Sequence, residues 1–221
     1  MKKSLEWCMK RELFLISEAT DNFGDICRKF VQAAGGVNAR IVYMMQGDKN
    51  WQKYFNEYKE YFEKYNPASI VPVFPNQSND FTTTMYSNLE KATGIFDGGG
   101  YTFRYIKAYT QPRIRQLILR KYNSGTVYAG LSAGAILTIR LGILPHFAIK
   151  PHFTRKNRLD ELAKKVNKAK YGWGLDDGCW LEVADETEFK IFGTGNCYFF
   201  SKRSPNNFSL QICENGDKIR I

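Results

Sequence analysis

The feature that most constrains the fold of this chain is the alternation of short apolar runs with amphipathic segments over its first two-thirds. Apolar runs predict strands at 13–16, 40–45, 69–74, 94–97 and 126–129. Apolar residues spaced by three and four predict helices at 21–34, 51–65, 80–91, 102–108, 114–122 and 133–141. Such alternation implies right-handed crossovers between parallel strands. We therefore expect a three-layer α/β fold with a mostly parallel, doubly wound sheet.

The C-terminal part of the chain has a different pattern. Short strand-like runs separated by turn residues occupy 179–183, 189–192, 198–201 and 208–213. We interpret these runs as an antiparallel β extension of the same domain. Because 221 residues are enough for one full core and short for two, we expect a single domain over residues 1–221.

The net charge of the chain limits the classes of partner that it can bind. Lys and Arg number 32 against 22 Asp and Glu, a net charge of +10 that attracts nucleic acid, a membrane surface or an acidic small substrate. No apolar stretch reaches the roughly 20 residues of a membrane span, and charged residues interrupt the N-terminus before a signal-peptide core forms. Five cysteines without a C-x-x-C pair favour reduced thiols and no zinc site. We expect a cytoplasmic protein without a membrane partner.

The most informative segment is a G-x-S-x-G pattern formed by Gly130, Ser132 and Gly134. It lies between an apolar strand and a helix, which is the context that a nucleophile elbow requires. Small neighbours let the serine adopt a strained turn, and the N-terminus of the following helix favours a developing oxyanion. The alternative is a merely structural turn. The placement favours Ser132 as a nucleophile.

A serine nucleophile needs a base and a group that orients the base. The chain has two histidines, His146 and His152, each after a proline in a segment with loop character behind the elbow helix. Spacing alone does not choose between them. Two adjacent acids, Asp176 and Asp177, follow at a glycine-rich turn, where a simple hairpin turn is the other interpretation.

Three glycines, 98–100, follow the strand at 94–97. A dinucleotide-binding G-x-G-x-x-G would need glycine at position 103, where the chain has phenylalanine. At a strand end, such a loop can instead present backbone N–H groups to a carbonyl oxygen.

Together these segments resemble the peptidase E and cyanophycinase family of serine peptidases. The matching stretches are 95–103 (IFDGGGYTF), 129–135 (AGLSAGA), 150–153 (KPHF) and 172–178 (GWGLDDG). The resemblance implies a fold related to class I glutamine amidotransferases, which is flavodoxin-like, and a triad in the chain order serine, histidine, acid.

The resemblance also assigns individual residues. It makes Ser132 the nucleophile, His152 rather than His146 the base, and Asp177, with Asp176 as the alternative, the third member. Gly99, Gly100 and the amide of Ala133 match the oxyanion hole. Tyr101 replaces the asparagine usual in the family; we expect Tyr101, Thr102 and Arg155 to contact the substrate.

The expected function is hydrolysis of small peptides with an aspartyl residue on the acyl side, without metal or cofactor. A cyanophycinase-like or other amidohydrolase is the alternative within this fold. A non-catalytic protein that binds nucleic acid or another anion is the remote alternative, but no nucleic-acid-binding motif is visible in the sequence, so no such partner is expected. A homodimer is a further expectation.

Overall fold

The computed structural model describes residues 10–18 and 21–221. Cys8 and the first nine residues, on which part of the signal-peptide expectation depends, lie outside this part. The described strands are β1 (Glu12–Ile16), β2 (Arg40–Met44), β3 (Ser69–Val73), β4 (Gly94–Asp97), β5 (Val127–Leu131), β6 (Phe147–Pro151), β7 (Tyr171–Leu175), β8 (Cys179–Ala184), β9 (Glu188–Gly193), β10 (Cys197–Ser204), β11 (Asn207–Cys213) and β12 (Lys218–Arg220).

The described helices are α1 (Phe23–Ala33), α2 (Trp51–Glu63), α3 (Thr83–Lys91), α4 (Thr102–Tyr109), α5 (Pro112–Asn123), α6 (Ala133–Leu141) and α7 (Leu159–Val166). Among the described residues, no helix combines the length and apolar character needed to cross a membrane.

The larger sheet has eight strands in the order β12-β9-β8-β1-β5-β4-β2-β3. The five strands β1, β5, β4, β2 and β3 are parallel to one another, while β8, β9 and β12 are antiparallel to their neighbours. The predicted parallel sheet is therefore confirmed, with β3, the strand that contains Pro72, at its edge.

A smaller sheet has the order β11-β10-β7-β6, with β6 and β7 parallel and the other pairs antiparallel. This sheet refines the expected antiparallel extension, because β8, β9 and β12 join the large sheet whereas β10 and β11 join the small one. It also corrects the prediction of loop character after the elbow helix. A buried strand, β6, separates His146 from His152.

Helices cover both faces of the large sheet. On one face, α1 and α2 pack Phe30 and Phe62 against Phe96 of β4. On the other face, buried residues of α3 to α6 share a second core that also includes Trp173 of the small sheet. The aromatic residues of α2 thus serve mainly as core, and the carboxyl ends of the parallel strands remain open for a site.

Candidate active site

The elbow at Ser132 is a strained turn that two glycines make sterically feasible. Ser132 has φ +52° and lies between β5 and α6, a conformation rare for residues other than glycine. A Cβ on Gly130 would lie 2.6 Å from the carbonyl oxygen of Gly134, and one on Gly134 would lie 2.5 Å from that of Asp97. The elbow therefore packs directly on the end of β4.

His152 lies beside the elbow, immediately after β6. Its Nε2 is 2.9 Å from the Oγ of Ser132, and its Nδ1 is 2.5 Å from Oδ1 of Asp177. Its side chain is buried and its φ is +55°. His146, at the other end of β6, is exposed. The structure thus brings Ser132, His152 and Asp177 together in the order that proton transfer from a serine requires.

The side chains of the two adjacent acids, Asp176 and Asp177, point to different partners. Asp177 bonds to His152, whereas Oδ1 of Asp176 accepts the backbone N–H of Thr154 at 2.8 Å. Burial by itself raises the pKa of Asp177, but the hydrogen bond with His152 and the charges of His152 and Arg155 lower it more. The pKa of Asp177 therefore lies below its ordinary value, which keeps this carboxylate ionised beside the imidazole.

Two residues that sequence reasoning missed, Ser17 and Glu18, follow β1. The fully buried Oγ of Ser17 accepts the N–H of His152 at 2.9 Å and lies 3.0 Å from the carbonyl oxygen of Leu175 and 3.2 Å from Oδ1 of Asp177. One step earlier, the carbonyl of Ile16 accepts the N–H of Ser132 at 2.8 Å. The end of β1 therefore contacts all three residues of the Ser–His–Asp arrangement.

Arg155 lies on the outer side of this arrangement. Its Nε is 2.9 Å from Oδ2 of Asp177, and its Nη1 is 3.3 Å from Oε2 of Glu18. Glu18, His152 and Asp177 offer ligand atoms within 4.8 Å of one another, a spacing that could hold a metal ion. In the structure, the guanidinium of Arg155 pairs with both of these carboxylates.

The glycine loop after β4 packs against the elbow. A Cβ on Gly99 would lie 3.7 Å from Cβ of Ser132. The carbonyl of Gly99 accepts the hydroxyls of Tyr54 at 3.1 Å and Tyr105 at 3.2 Å, so the N–H of Gly100 points away from these tyrosines. The N–H of Ala133, at the start of α6, has no carbonyl partner within the helix.

Asp97 is a buried acid directly beneath the elbow. Burial raises its pKa well above its ordinary value, an effect that a hydrogen bond from Tyr128 offsets in part. Burial therefore favours the neutral form of this side chain, the form that opposes a nearby negative charge least.

Tyr101 and Thr102 continue from the glycine loop, and each lines a different cavity. Tyr101 is 66% exposed and lines a cavity of about 780 Å³ together with Gln46, Trp51 and Arg104. Thr102 lines a groove of about 570 Å³ between α6 and α7. Both residues therefore line cavities next to the glycine loop, which itself packs against Ser132.

Comparison with known proteins adds a family match. A sequence model described as peptidase family S51 matches residues 13–144, which include Ser132 and the glycine loop but not His152 or Asp177. A cyanophycinase from Synechococcus elongatus is 25% identical over 77% of this chain and 61% of its own length. Peptidase E from Streptomyces coelicolor is 28% identical over 44% of this chain and 51% of its own length. This chain therefore spans less than two thirds of the length of these relatives.

Solved structures share the fold. A peptidase from an acI-B1 Actinobacterium superimposes with a TM-score of 0.77 at 16% identity, covering 97% of this chain and 98% of that one. A putative peptidase E from Listeria monocytogenes EGD-e gives a TM-score of 0.60 at 17% identity, covering 84% and 98%. These identities support a common fold alone.

Proposed function

We propose that this chain, which belongs to peptidase family S51, hydrolyses peptide bonds as a serine peptidase. The observation that carries the proposal is the Ser132–His152–Asp177 arrangement, with 2.9 Å between Oγ and Nε2 and 2.5 Å between Nδ1 and Oδ1. Ser132 is the nucleophile, His152 is the general base, and Asp177 orients the imidazole and stabilises its protonated form. Family membership favours this function over simple anion binding.

In the proposed reaction, Nε2 of His152 takes the proton of Ser132 as Oγ attacks the carbonyl carbon of the substrate. The tetrahedral intermediate collapses when the imidazolium gives that proton to the leaving amine, which departs as the first product. A water molecule then attacks the acyl enzyme, with His152 again accepting and returning the proton. The second product is a free carboxylic acid, and Ser132 is restored.

We assign the oxyanion hole to the backbone N–H groups of Gly99, Gly100 and Ala133. Three features support this role: the contact of Gly99 with Ser132, the fixed peptide between Gly99 and Gly100, and the unpartnered start of α6. Each donor stabilises negative charge on the substrate oxygen as it forms.

The proposed substrates are small peptides with an acidic residue on the acyl side. Arg155 already pairs with Asp177 and Glu18, so a substrate carboxylate would have to share its guanidinium with them. Its side chain is nevertheless 55% exposed, and we propose that it contacts the substrate, as do Tyr101 and Thr102 after the glycine loop. We further propose that the chain works as one domain in the cytoplasm.

A dipeptide library, digested by wild type and by Ser132→Ala, tests the proposal. Wild type should cleave aspartyl dipeptides faster than asparaginyl ones, and Ser132→Ala should cleave none while unfolding at the wild-type temperature. His146→Gln is a matched control for His152→Gln, because only His152 contacts Ser132. Peptidase activity retained in Ser132→Ala, or a larger loss in His146→Gln than in His152→Gln, would contradict the assignment.

A further inference from the structure

The groove of about 570 Å³ runs along the free edge of β6, and we call it the β6 groove. Four successive residues of β6, 147–150, line it, so the groove follows the edge of the strand rather than one face. Among the described residues, β6 pairs only with β7, and its other edge has no strand partner. An unpaired edge presents main-chain donors and acceptors to another chain.

The hydrogen-bonding pattern identifies the free groups. The carbonyl of His146 accepts the N–H of Tyr171 in β7, and alternate residues of a strand bond to opposite sides. The N–H and C=O of Ala148 and Lys150 therefore point to β7. The C=O of Phe147 and both groups of Ile149 point into the β6 groove, where an added strand could bond to them.

The two walls of the β6 groove differ in chemistry. The α7 side carries Arg158, Lys165 and Lys168, and the α4 and α6 side carries Ile106, Ile136 and Ile139, with Arg140 at its end. Lys150 also lines the groove, and its ammonium pairs with Glu161. Arg140, Arg158, Lys165 and Lys168 form no ion pair with any described residue. Within the described part of the chain, no carboxylate lines the groove.

Several residues that line the β6 groove are close in the chain to residues of the candidate active site. Ile136 lies one turn along α6 from Ser132, whose carbonyl accepts its N–H. Thr102 adjoins the glycine loop, and β6 itself ends one residue before His152. A chain lying along β6 would therefore extend toward the hydroxyl of Ser132.

We propose that the β6 groove binds an extended peptide segment, in which acidic and apolar residues alternate, as an added strand on β6. Side chains of a strand alternate between its two faces, so carboxylates would face the basic α7 wall while apolar groups face the isoleucines. Five residues of β6 at about 3.3 Å each accommodate a segment of about five residues. A second copy of this chain fits poorly, because pairing two β6 edges would bring together two sets of unpaired cations.

This proposal rests on the proposed function only in treating the bound segment as the uncleaved part of a substrate. Binding is therefore measured with Ser132→Ala, by fluorescence anisotropy of a labelled hexapeptide of alternating aspartate and valine. One comparison peptide has the same composition in blocks, three aspartates followed by three valines. A second carries N-methyl groups on its main chain, and a third has asparagine in place of aspartate.

The alternating peptide should bind about tenfold or more tightly than the block, N-methyl and asparagine peptides. Lys165→Glu and Lys168→Glu should each weaken its binding about tenfold. Lys164→Glu makes the same charge change on an exposed residue of α7 outside the groove and should have little effect. Hydrogen exchange at the N–H of Ile149 should slow when the peptide binds.

Equal binding of the alternating and block peptides would overturn strand addition. If Lys164→Glu weakens peptide binding as much as Lys165→Glu does, the effect of the lysines is one of overall charge and the basic wall of the groove has no specific role. Dimerisation of the chain that Lys165→Glu disrupts, without peptide binding, would assign the groove to a second copy instead. The two proposals fail separately. If the peptide binds to Ser132→Ala but wild type hydrolyses no peptide, the proposed peptidase activity is wrong. If wild type hydrolyses peptides but the binding pattern is absent, the proposed strand addition in the β6 groove is wrong.

Discussion

Ser17→Ala should show how far the candidate site depends on the hydroxyl at the end of β1. The substitution removes the acceptor of the His152 N–H, a buried group with no second partner among the described residues. The carbonyl of Leu175 keeps the N–H of Phe153 at 3.1 Å, and Asp177 keeps His152. One buried donor is therefore left unsatisfied, which costs about 1–3 kcal/mol of unfolding free energy.

The catalytic effect should exceed the effect on binding. Ser17 holds the backbone of His152 in its positive-φ conformation, so its loss should displace the imidazole from Ser132 more than it disturbs a bound substrate. A misorientation that costs about 1.4 kcal/mol in the transition state lowers kcat about tenfold. We expect kcat to fall by about that factor or more while KM changes little.

Urea denaturation and steady-state kinetics measure the two effects. Thr93→Ala is a control for loss of a hydroxyl acceptor away from the site. The Thr93 hydroxyl also accepts a backbone N–H, that of Arg40 at 2.9 Å, but at the exposed amino ends of β2 and β4. Because this bond is exposed, Thr93→Ala should lose less stability than Ser17→Ala, and it should keep kcat. Wild-type kcat in Ser17→Ala, or an equal loss of kcat in Thr93→Ala, would refute the positioning role of Ser17.

Two further predictions concern the elbow and the acid. Gly134→Ala places a Cβ 2.5 Å from the carbonyl oxygen of Asp97, so it should cost about 1–3 kcal/mol in a thermal melt. Gly24→Ala, in α1, would place a Cβ at an ordinary contact distance of 3.8 Å from Oη of Tyr65, and it should gain about 0.5–1 kcal/mol. Wild-type stability in Gly134→Ala would contradict the close packing. The lowered pKa of Asp177 means that its stabilising contribution is present above the unfolded value of about 3.9 and is lost as pH falls through the folded value. The difference in unfolding free energy between wild type and Asp177→Asn should therefore shrink from pH 6 toward pH 3, and a constant difference would exclude this linkage.

The parallel sheet and the elbow were predictable because both depend on local patterns. Alternating strand and helix periodicities leave few ways to cover a sheet, and the G-x-S-x-G pattern places its serine by steric necessity. The pairing of the C-terminal strands was harder to predict from the sequence. Nothing in the local sequences of β8 and β10 indicates that one joins the large sheet and the other the small sheet, since that choice depends on distant partners.

The segment around His152 was misread for a physical reason. Pro145 and Pro151 normally interrupt regular structure, and β6 is buried along its whole length, so it lacks the alternation that marks a half-buried strand. The residues alone did not divide the roles of Asp176 and Asp177, because adjacent residues at one turn point in different directions. The family resemblance favoured Asp177, and in the fold it is Asp177 that contacts His152.

The end of β1 explains how two strained residues can be held side by side. Ser132 and His152 both have positive φ, and each donates its N–H to this segment, Ser132 to the carbonyl of Ile16 and His152 to the hydroxyl of Ser17. The next residue, Glu18, pairs with Arg155, which in turn pairs with Asp177. Because β1 lies between β5, which leads to the elbow, and β8, which follows the Asp177 turn, three consecutive residues can reach the whole site. Their position in the sheet, rather than any motif, makes them part of the site, so substitutions there should disturb the site before they disturb the core.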